Sequence, residues 1–187
     1  MPSDLTIFAA KYLVFVDAVL AAVMILLAVR WWDRPRLFRY TVIALLILVL
    51  SYAFARVGAG VYTDPRPFTQ DHVRPLIAHA ADNGFPSDHA LLAAAIVALV
   101  ALVSPLWAAP FAVLGVLVDW ARVGAGIHHV ADVVGSSLFV ALATGIALLA
   151  TPLIVRRLAP VLPPSLGGTR AHDEMVGGGS DEGDTNR

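Results

Sequence analysis

No cysteine occurs in the 187 residues, so no disulfide, thiolate metal site or thiol redox chemistry can be built. Lysine is nearly absent as well: Lys11 stands alone against twelve arginines. Charged residues make up 14% of the chain, where a soluble domain is nearer about a quarter. With 58% hydrophobic residues and a mean hydropathy of +0.76, this scarcity of charge excludes an ordinary soluble domain and points to a membrane. The formal net charge is −1 and no basic stripe runs along the sequence, so nothing offers the footprint of a nucleic-acid partner. No internal repeat occurs.

What remains is long apolar runs. A helix crosses the hydrocarbon layer with about 20 apolar residues, and five segments qualify or nearly do: roughly 8–29, 39–58, 88–104, 108–124 and 133–154. The third and fourth meet at Ser104-Pro105 with almost no loop. Arg30, Arg34, Arg36 and Arg39 crowd the connection between spans one and two, and Arg156 and Arg157 follow span five. Five spans put both clusters on one side, which basic-residue bias makes cytoplasmic. Trp31, Trp32 and Tyr40 flank that connection as interfacial aromatics. The first span has the position of a secretory signal, but Asp4 precedes it and Lys11 is its only early positive charge, so it is expected to remain as a span. The expected fold is an all-α integral membrane protein, with about five transmembrane helices bundled around a site at the outer membrane interface. Residues 1–160 form the embedded domain. Residues 161–187, rich in Pro, Gly and Asp, read as a disordered cytoplasmic tail that includes His172.

Three polar segments interrupt this apolar chain, all at the outer face. Arg122, His128 and Asp132 follow the spacing R-x5-H-x3-D. His128 and Asp132 lie four apart and share a face if span five is helical there. A carboxylate on one imidazole nitrogen fixes the tautomer and frees the other nitrogen to attack. Gly124 and Gly126 permit a tight turn between Arg122 and the histidine. Phe85-Pro86-Ser87-Asp88-His89 opens span three. Ser87 or Asp88 is a candidate N-cap, the free N–H groups of such a helix start bind phosphates, and His89 points to the same place. Asp64-Pro65-Arg66-Pro67 is stiff, and Arg66 presents a fork suited to bidentate phosphate contact. Two arginines to clamp a phosphate, one histidine to attack and one to protonate the leaving group form a phosphoryl-transfer set. His129 is the rival nucleophile. Asp17 and Asp119 lie inside spans, where ionisable groups tend to face the interior; Arg56 and Arg122 are their candidate partners.

In their order, these segments resemble the type-2 phosphatidic acid phosphatase superfamily, the lipid phosphate phosphatases, whose signature reads K-x6-R-P, then P-S-G-H, then S-R-x5-H-x3-D. Arg66-Pro67 matches the end of the first motif, Pro86-Ser87-Asp88-His89 the second with aspartate for glycine, and Arg122, His128 and Asp132 the third. The first-motif lysine falls on Ala59 and is absent; Arg56, one turn earlier, or Arg74 is its candidate substitute. The third-motif serine is Ala121. The stretch His79-Ala80-Ala81-Asp82-Asn83-Gly84-Phe85 before the second motif looks like the bacterial undecaprenyl-diphosphatase branch.

The resemblance implies hydrolysis of undecaprenyl diphosphate at an extracytoplasmic site of the bacterial inner membrane. By it, His128 attacks the terminal phosphorus to give a phosphohistidine, Asp132 orients His128, and His89 protonates the leaving oxygen and later activates water. Arg66, Arg122, Arg56 and the N–H groups near Ser87 hold the phosphate oxygens. No cofactor and no metal are expected; the partners are the lipid substrate and the bilayer. The same residues would serve another lipid phosphate: phosphatidylglycerophosphate, phosphatidic acid or a prenyl-linked sugar phosphate. A proton or ion transporter built on Asp17, Asp119 and the histidines is the reading from a different class.

Overall fold

The computed structural model describes residues 2–71, 73–159 and 163–167. Five long helices dominate, and no strand occurs among the described residues. Helix α1 runs through Pro2–Phe8, a π-helical turn Ala9–Leu13, and Val14–Val29. Helix α2 is Arg34–Val61, α3 is Asp88–Val103, α4 is Pro105–Gly124 and α5 is Val130–Leu158. All but α3 are long and apolar enough to cross a membrane. Large apolar side chains lie open around the bundle, with Leu149 79% exposed. That is the pattern of a surface solvated by lipid, and the chain is a multi-pass membrane protein.

The shortest helix sits in the middle. α3 packs against α4, α5, α1 and α2. Its buried positions are Ala90, Ala93, Ala95, Ile96 and Val100, and such small residues let neighbouring backbones approach closely. Its 16 residues span about 24 Å at 1.5 Å per residue, short of the ~30 Å hydrocarbon core. The central helix is recessed, and this sets the depth of the site. Ser104 ends α3, its N–H bonding the Val100 carbonyl at 2.9 Å, and Pro105 starts α4 at once. Measured from that turn, His89 lies about 22 Å up α3 and Arg122 about 25 Å up α4, so the tight hairpin brings them level.

The helices extend beyond their apolar runs. Asp33 accepts the Arg36 N–H at 3.0 Å and caps α2. Arg34, Arg36 and Arg39 therefore stand on the first turns of α2 rather than in the loop expected from the sequence. Arg36 lies over the Trp32 ring at 4.0 Å and Arg30 over Trp31 at 5.0 Å, a cation–π arrangement at the helix ends. Within the segment read as tail, Pro164–Gly167 forms one helical turn in contact with α2. Residues 168–187, His172 among them, lie outside the described residues.

The expected intramembrane pairs do not form. Both carboxylate oxygens of the fully buried Asp17 lack a hydrogen-bond partner among the described residues, as does Oδ1 of Asp119. Arg122 bonds a backbone carbonyl of α1 instead of Asp119, and Arg56 makes no ion pair among the described residues. Arg122 is drawn away because the π turn of α1 offers it an acceptor.

Candidate active site

The 62–87 segment lies over one end of the bundle, and Asn83 is its hub. Asn83 Oδ1 accepts from the Asp64 and Phe85 N–H groups at 2.9 and 3.0 Å. Its Nδ2 donates to the Ala59 and Tyr62 carbonyls at 3.2 and 3.1 Å. One side chain thus ties the end of α2 to the Asp64-Pro65-Arg66 stretch and to the entry of α3. Phe85 fills a notch that only glycine leaves open: a Cβ on Gly135 would overlap its ring. Ile77 anchors the middle of the segment among Ala10, Ala121, Ala125 and Ile127.

Ser87 is the N-cap of α3, its Oγ accepting from Ala90 N–H at 3.5 Å. The hydroxyl is fully buried and does not line the cavity, so Ser87 stands beside the site as a cap. Ser136 joins the start of α3, which carries His89, to the first turn of α5, which follows His128. Its Oγ reaches the Asp132 carbonyl at 2.8 Å and the Ser87 carbonyl at 3.0 Å.

His128 and Asp132 meet by a different route from the shared helix face expected at four-residue spacing. α5 begins only at Val130, so His128 precedes the N-cap, His129, and Asp132 is the third helical residue. Asp132 Oδ2 accepts the His129 backbone N–H at 2.9 Å and lies 3.1 Å from His128 Nδ1. The carboxylate that closes the helix end therefore also holds the imidazole. Gly126, at φ +70°, makes the preceding turn, a conformation that L side chains rarely adopt. On the other edge of the ring, His128 Nε2 lies 3.2 Å from Arg66 Nη1 and 3.2 Å from Arg122 Nη2. With Nδ1–H donated to Asp132, Nε2 keeps its lone pair toward both guanidinium groups. Burial holds the His128 imidazole below the usual histidine range and the Arg122 and Arg66 charges push the same way, while the Asp132 bond opposes them. The ring is neutral at physiological pH.

Both arginines are fixed from behind. Arg66 Nε donates to Asp82 at 2.6 Å and its Nη1 to the Ile127 carbonyl at 2.8 Å. The Arg66 bond holds the exposed Asp82 below the usual carboxylate range. Arg122 Nη1 donates to the Ala10 carbonyl at 3.1 Å, within the π turn of α1. Such turns recur at functional sites, and α1 is by this bond part of the site.

A cavity of about 530 Å³ opens in front of His128, lined among others by Arg56, Arg66, His89, Arg122, His79 and Asp82. Of the residues expected from sequence, His128, His89, Arg66, Arg122 and Arg56 converge there, and Asp132 stands behind His128. Arg74 does not line it. Sequence reasoning missed the role of His79, whose ring packs edge-on to His128 at a centroid distance of 6.4 Å. It also missed Asn83 and Ser136. The signals available for Asn83 were the Asn-Gly pair and its place in the His79–Phe85 stretch before the second motif.

His129 turns away from the cavity. Its Nδ1 is 3.1 Å from Asp64 Oδ2 and its Nε2 3.1 Å from Asp71 Oδ2. Burial lowers its basicity, but the Asp71 and Asp64 contacts outweigh this and raise the imidazole above its ordinary value. Its stabilising contribution is complete below the unfolded value of about 6.5 and is lost as the pH rises through the higher folded value. Thermal unfolding in detergent is expected to show His129→Gln less stable than wild type near about pH 6 and equal to it near about pH 9. A deficit of the same size at both would remove the ion-pair account.

Ligand atoms of Asp64, His129 and Asp132 lie within 4.8 Å of one another, a cluster invisible in the sequence. The donor set is poor for a cation. Asp132 Oδ2 already holds two hydrogen bonds, although its Oδ1 is buried without a partner among the described residues, and His129 lies between two carboxylates that favour its protonated form, which has no lone pair for a metal. Burial and the neighbouring Asp132 carboxylate push Asp64 up, with His129 pulling against them. The cluster is an ion-pair lock between the 62–71 segment and the start of α5.

A buried histidine thus stands at one end of the helical bundle, held by a carboxylate behind and approached by two arginines in front. The model of the PAP2 superfamily matches residues 40–157, and the chain belongs to that family. It is similar to undecaprenyl-diphosphatase BcrC of Bacillus subtilis (strain 168), with 33% identity over 128 residues, 68% of this chain and 66% of that one. Bacitracin transport permease protein BcrC of Bacillus licheniformis is 32% identical over 114 residues, 60% and 56% of the two chains. YbjG of Escherichia coli (strain K12) is 29% identical over 136 residues, 72% and 66%. The matches thus span just under two thirds of these relatives' lengths or less. No solved structure matches the chain.

Proposed function

We propose that the protein is a lipid diphosphate phosphatase that hydrolyses undecaprenyl diphosphate to undecaprenyl phosphate and phosphate through a phosphohistidine. The observation that carries this reading is the pair of 3.2 Å approaches of Arg66 and Arg122 to His128 Nε2, with Nδ1 held by Asp132. An incoming phosphate takes over the two guanidinium groups and leaves the Nε2 lone pair facing phosphorus. The Nε2–P bond forms as the bridging P–O bond breaks, and His89, which takes up a proton as the anionic substrate binds, donates that proton to the leaving lipid phosphate oxygen. His89 then takes a proton from water, the water oxygen attacks phosphorus, and the Nε2–P bond breaks. Arg66 and Arg122 stabilise the equatorial oxygens, the largest contribution in reactions of this kind. His129, committed to Asp64 and Asp71, is poorly placed to compete as nucleophile.

The diphosphate substrate is supported by the name of the Bacillus subtilis relative. Arginine placement supports an extracytoplasmic site: Arg30, Arg34, Arg36, Arg39, Arg156 and Arg157 all lie at the end of the bundle opposite His128. The arginines supply the charge that a metal would otherwise give, so activity is independent of added metal.

The test is phosphate release by pure protein in detergent with EDTA present, from undecaprenyl diphosphate, phosphatidic acid and phosphatidylglycerophosphate. Undecaprenyl diphosphate is expected to be strongly preferred, with EDTA without effect. Preference for a glycerolipid would overturn the substrate but keep the mechanism. Release from none of them would favour transport, the activity in the Bacillus licheniformis relative's name.

A further inference from the structure

Arg56 stands apart from the other cations of the cavity. Arg66 and Arg122 are each fixed by backbone carbonyls and both approach His128 Nε2. Arg56 lines the same cavity but makes no hydrogen bond or ion pair among the described residues. Its position on α2 separates it further. Tyr52, Ala55, Arg56 and Ala59 form the α2 wall of the cavity, on one face by their three- and four-residue spacing. That wall runs about 10 Å down the helix axis from Ala59 to Tyr52, and Arg56 lies about 4.5 Å below Ala59. α2 rises toward the site end at Val61, and Gly58 abuts the Phe139 ring, seven residues past Asp132 on the descending α5, so Arg56 is on the bilayer side of the Asp132–His128 pair.

A lipid diphosphate enters such a cavity with a fixed polarity. Its chain stays in the bilayer, its terminal phosphate reaches His128, and its inner phosphate lies between them. Resting on the phosphatase reading above, we infer that Arg56 is the ligand of the inner, lipid-proximal phosphate and makes the site selective for diphosphates over monophosphates. It is then not a stand-in for a cation at Ala59, which would sit a turn higher and serve the terminal phosphate. The inner phosphate is also the leaving group. A guanidinium there neutralises the charge that grows on the bridging oxygen as the P–O bond breaks, and His89 supplies the proton.

Two measurements on the detergent-solubilised full chain test this. The first is binding of methylenediphosphonate and of inorganic phosphate, followed by thermal stabilisation. Arg56→Gln is expected to weaken diphosphonate binding at least tenfold more than phosphate binding, the scale of one charge-assisted hydrogen bond. Arg56→Lys should keep part of the preference. The second is kcat/KM for a prenyl diphosphate and the matching prenyl monophosphate, in Arg56→Gln and in Arg56→Gln combined with Ala59→Lys. The diphosphate preference should fall at least tenfold and should not return with the added lysine. Equal losses on both ligands, no loss on either, or full rescue by Ala59→Lys would each overturn the inference. If diphosphonate binding follows Arg56 while no prenyl diphosphate is hydrolysed, the inner-phosphate subsite stands and the substrate reading fails.

Discussion

His128→Ala is expected to abolish both turnover and the phosphoenzyme. Loss of a covalent nucleophile that acts with its partners as one unit lowers kcat by roughly 10⁴- to 10⁶-fold. Among the described residues, both Arg66 and Arg122 converge on His128 Nε2 and on no other ring nitrogen, so no described neighbour inherits its geometry. His129 is one residue away, but Asp64 and Asp71 hold its ring. Acid-labile, base-stable phosphate should appear on wild-type protein quenched during turnover, and on His129→Gln, but never on His128→Ala. The fold should survive the substitution: the His128 ring carries no helix cap, and the cap at α5 is made by the Asp132 carboxylate on the His129 N–H. Phosphoenzyme persisting in His128→Ala and vanishing in His129→Gln would reverse the assignment.

Much of the site was legible because a membrane chain has little reason to carry polar residues. Arg66, His89, Arg122, His128 and Asp132 stand out against apolar runs, and helix count alone put them at one end. What supports them was not legible. The Ala10 carbonyl that holds Arg122 is a backbone atom of an unremarked alanine, exposed by a π turn that leaves no mark in the sequence. Asn83 and Ser136 act through contacts 19 to 49 residues away in the chain, which periodicity cannot report. The four-residue spacing of His128 and Asp132 suggested a helix face, but a carboxylate at the third helical position caps the helix and so moved the boundary past the histidine. Asp17 and Asp119 were expected to pair because isolated charges in membranes are costly. Arg122 is instead held by the Ala10 carbonyl, and Arg56 lines the cavity.

Asp132→Asn is expected to lower kcat by roughly 10²- to 10³-fold, the scale of one lost electrostatic stabiliser of the transition state, while leaving the protein folded. The carboxylate does three things at once: it caps α5 through the His129 N–H, it accepts Nδ1–H, and it carries the negative charge nearest the ring. An asparagine keeps the first two, because the His129 N–H requires an oxygen at the Oδ2 position and that oxygen can still accept from Nδ1. Only the charge goes. When Nε2 bonds to phosphorus, the imidazole becomes cationic while two guanidinium groups remain beside it, and Asp132 is the one anion in contact with His128 among the described residues. Its loss falls on the transition state and the phosphoenzyme more than on the resting site, so kcat should collapse while KM changes little. Asp132→Ala removes the cap as well and should lower the unfolding temperature in addition, by the ~1 kcal/mol scale of a lost N-terminal cap. Equal kcat in Asp132→Asn and wild type, in protein of unchanged thermal stability, would show that Asp132 positions the ring without stabilising its charge.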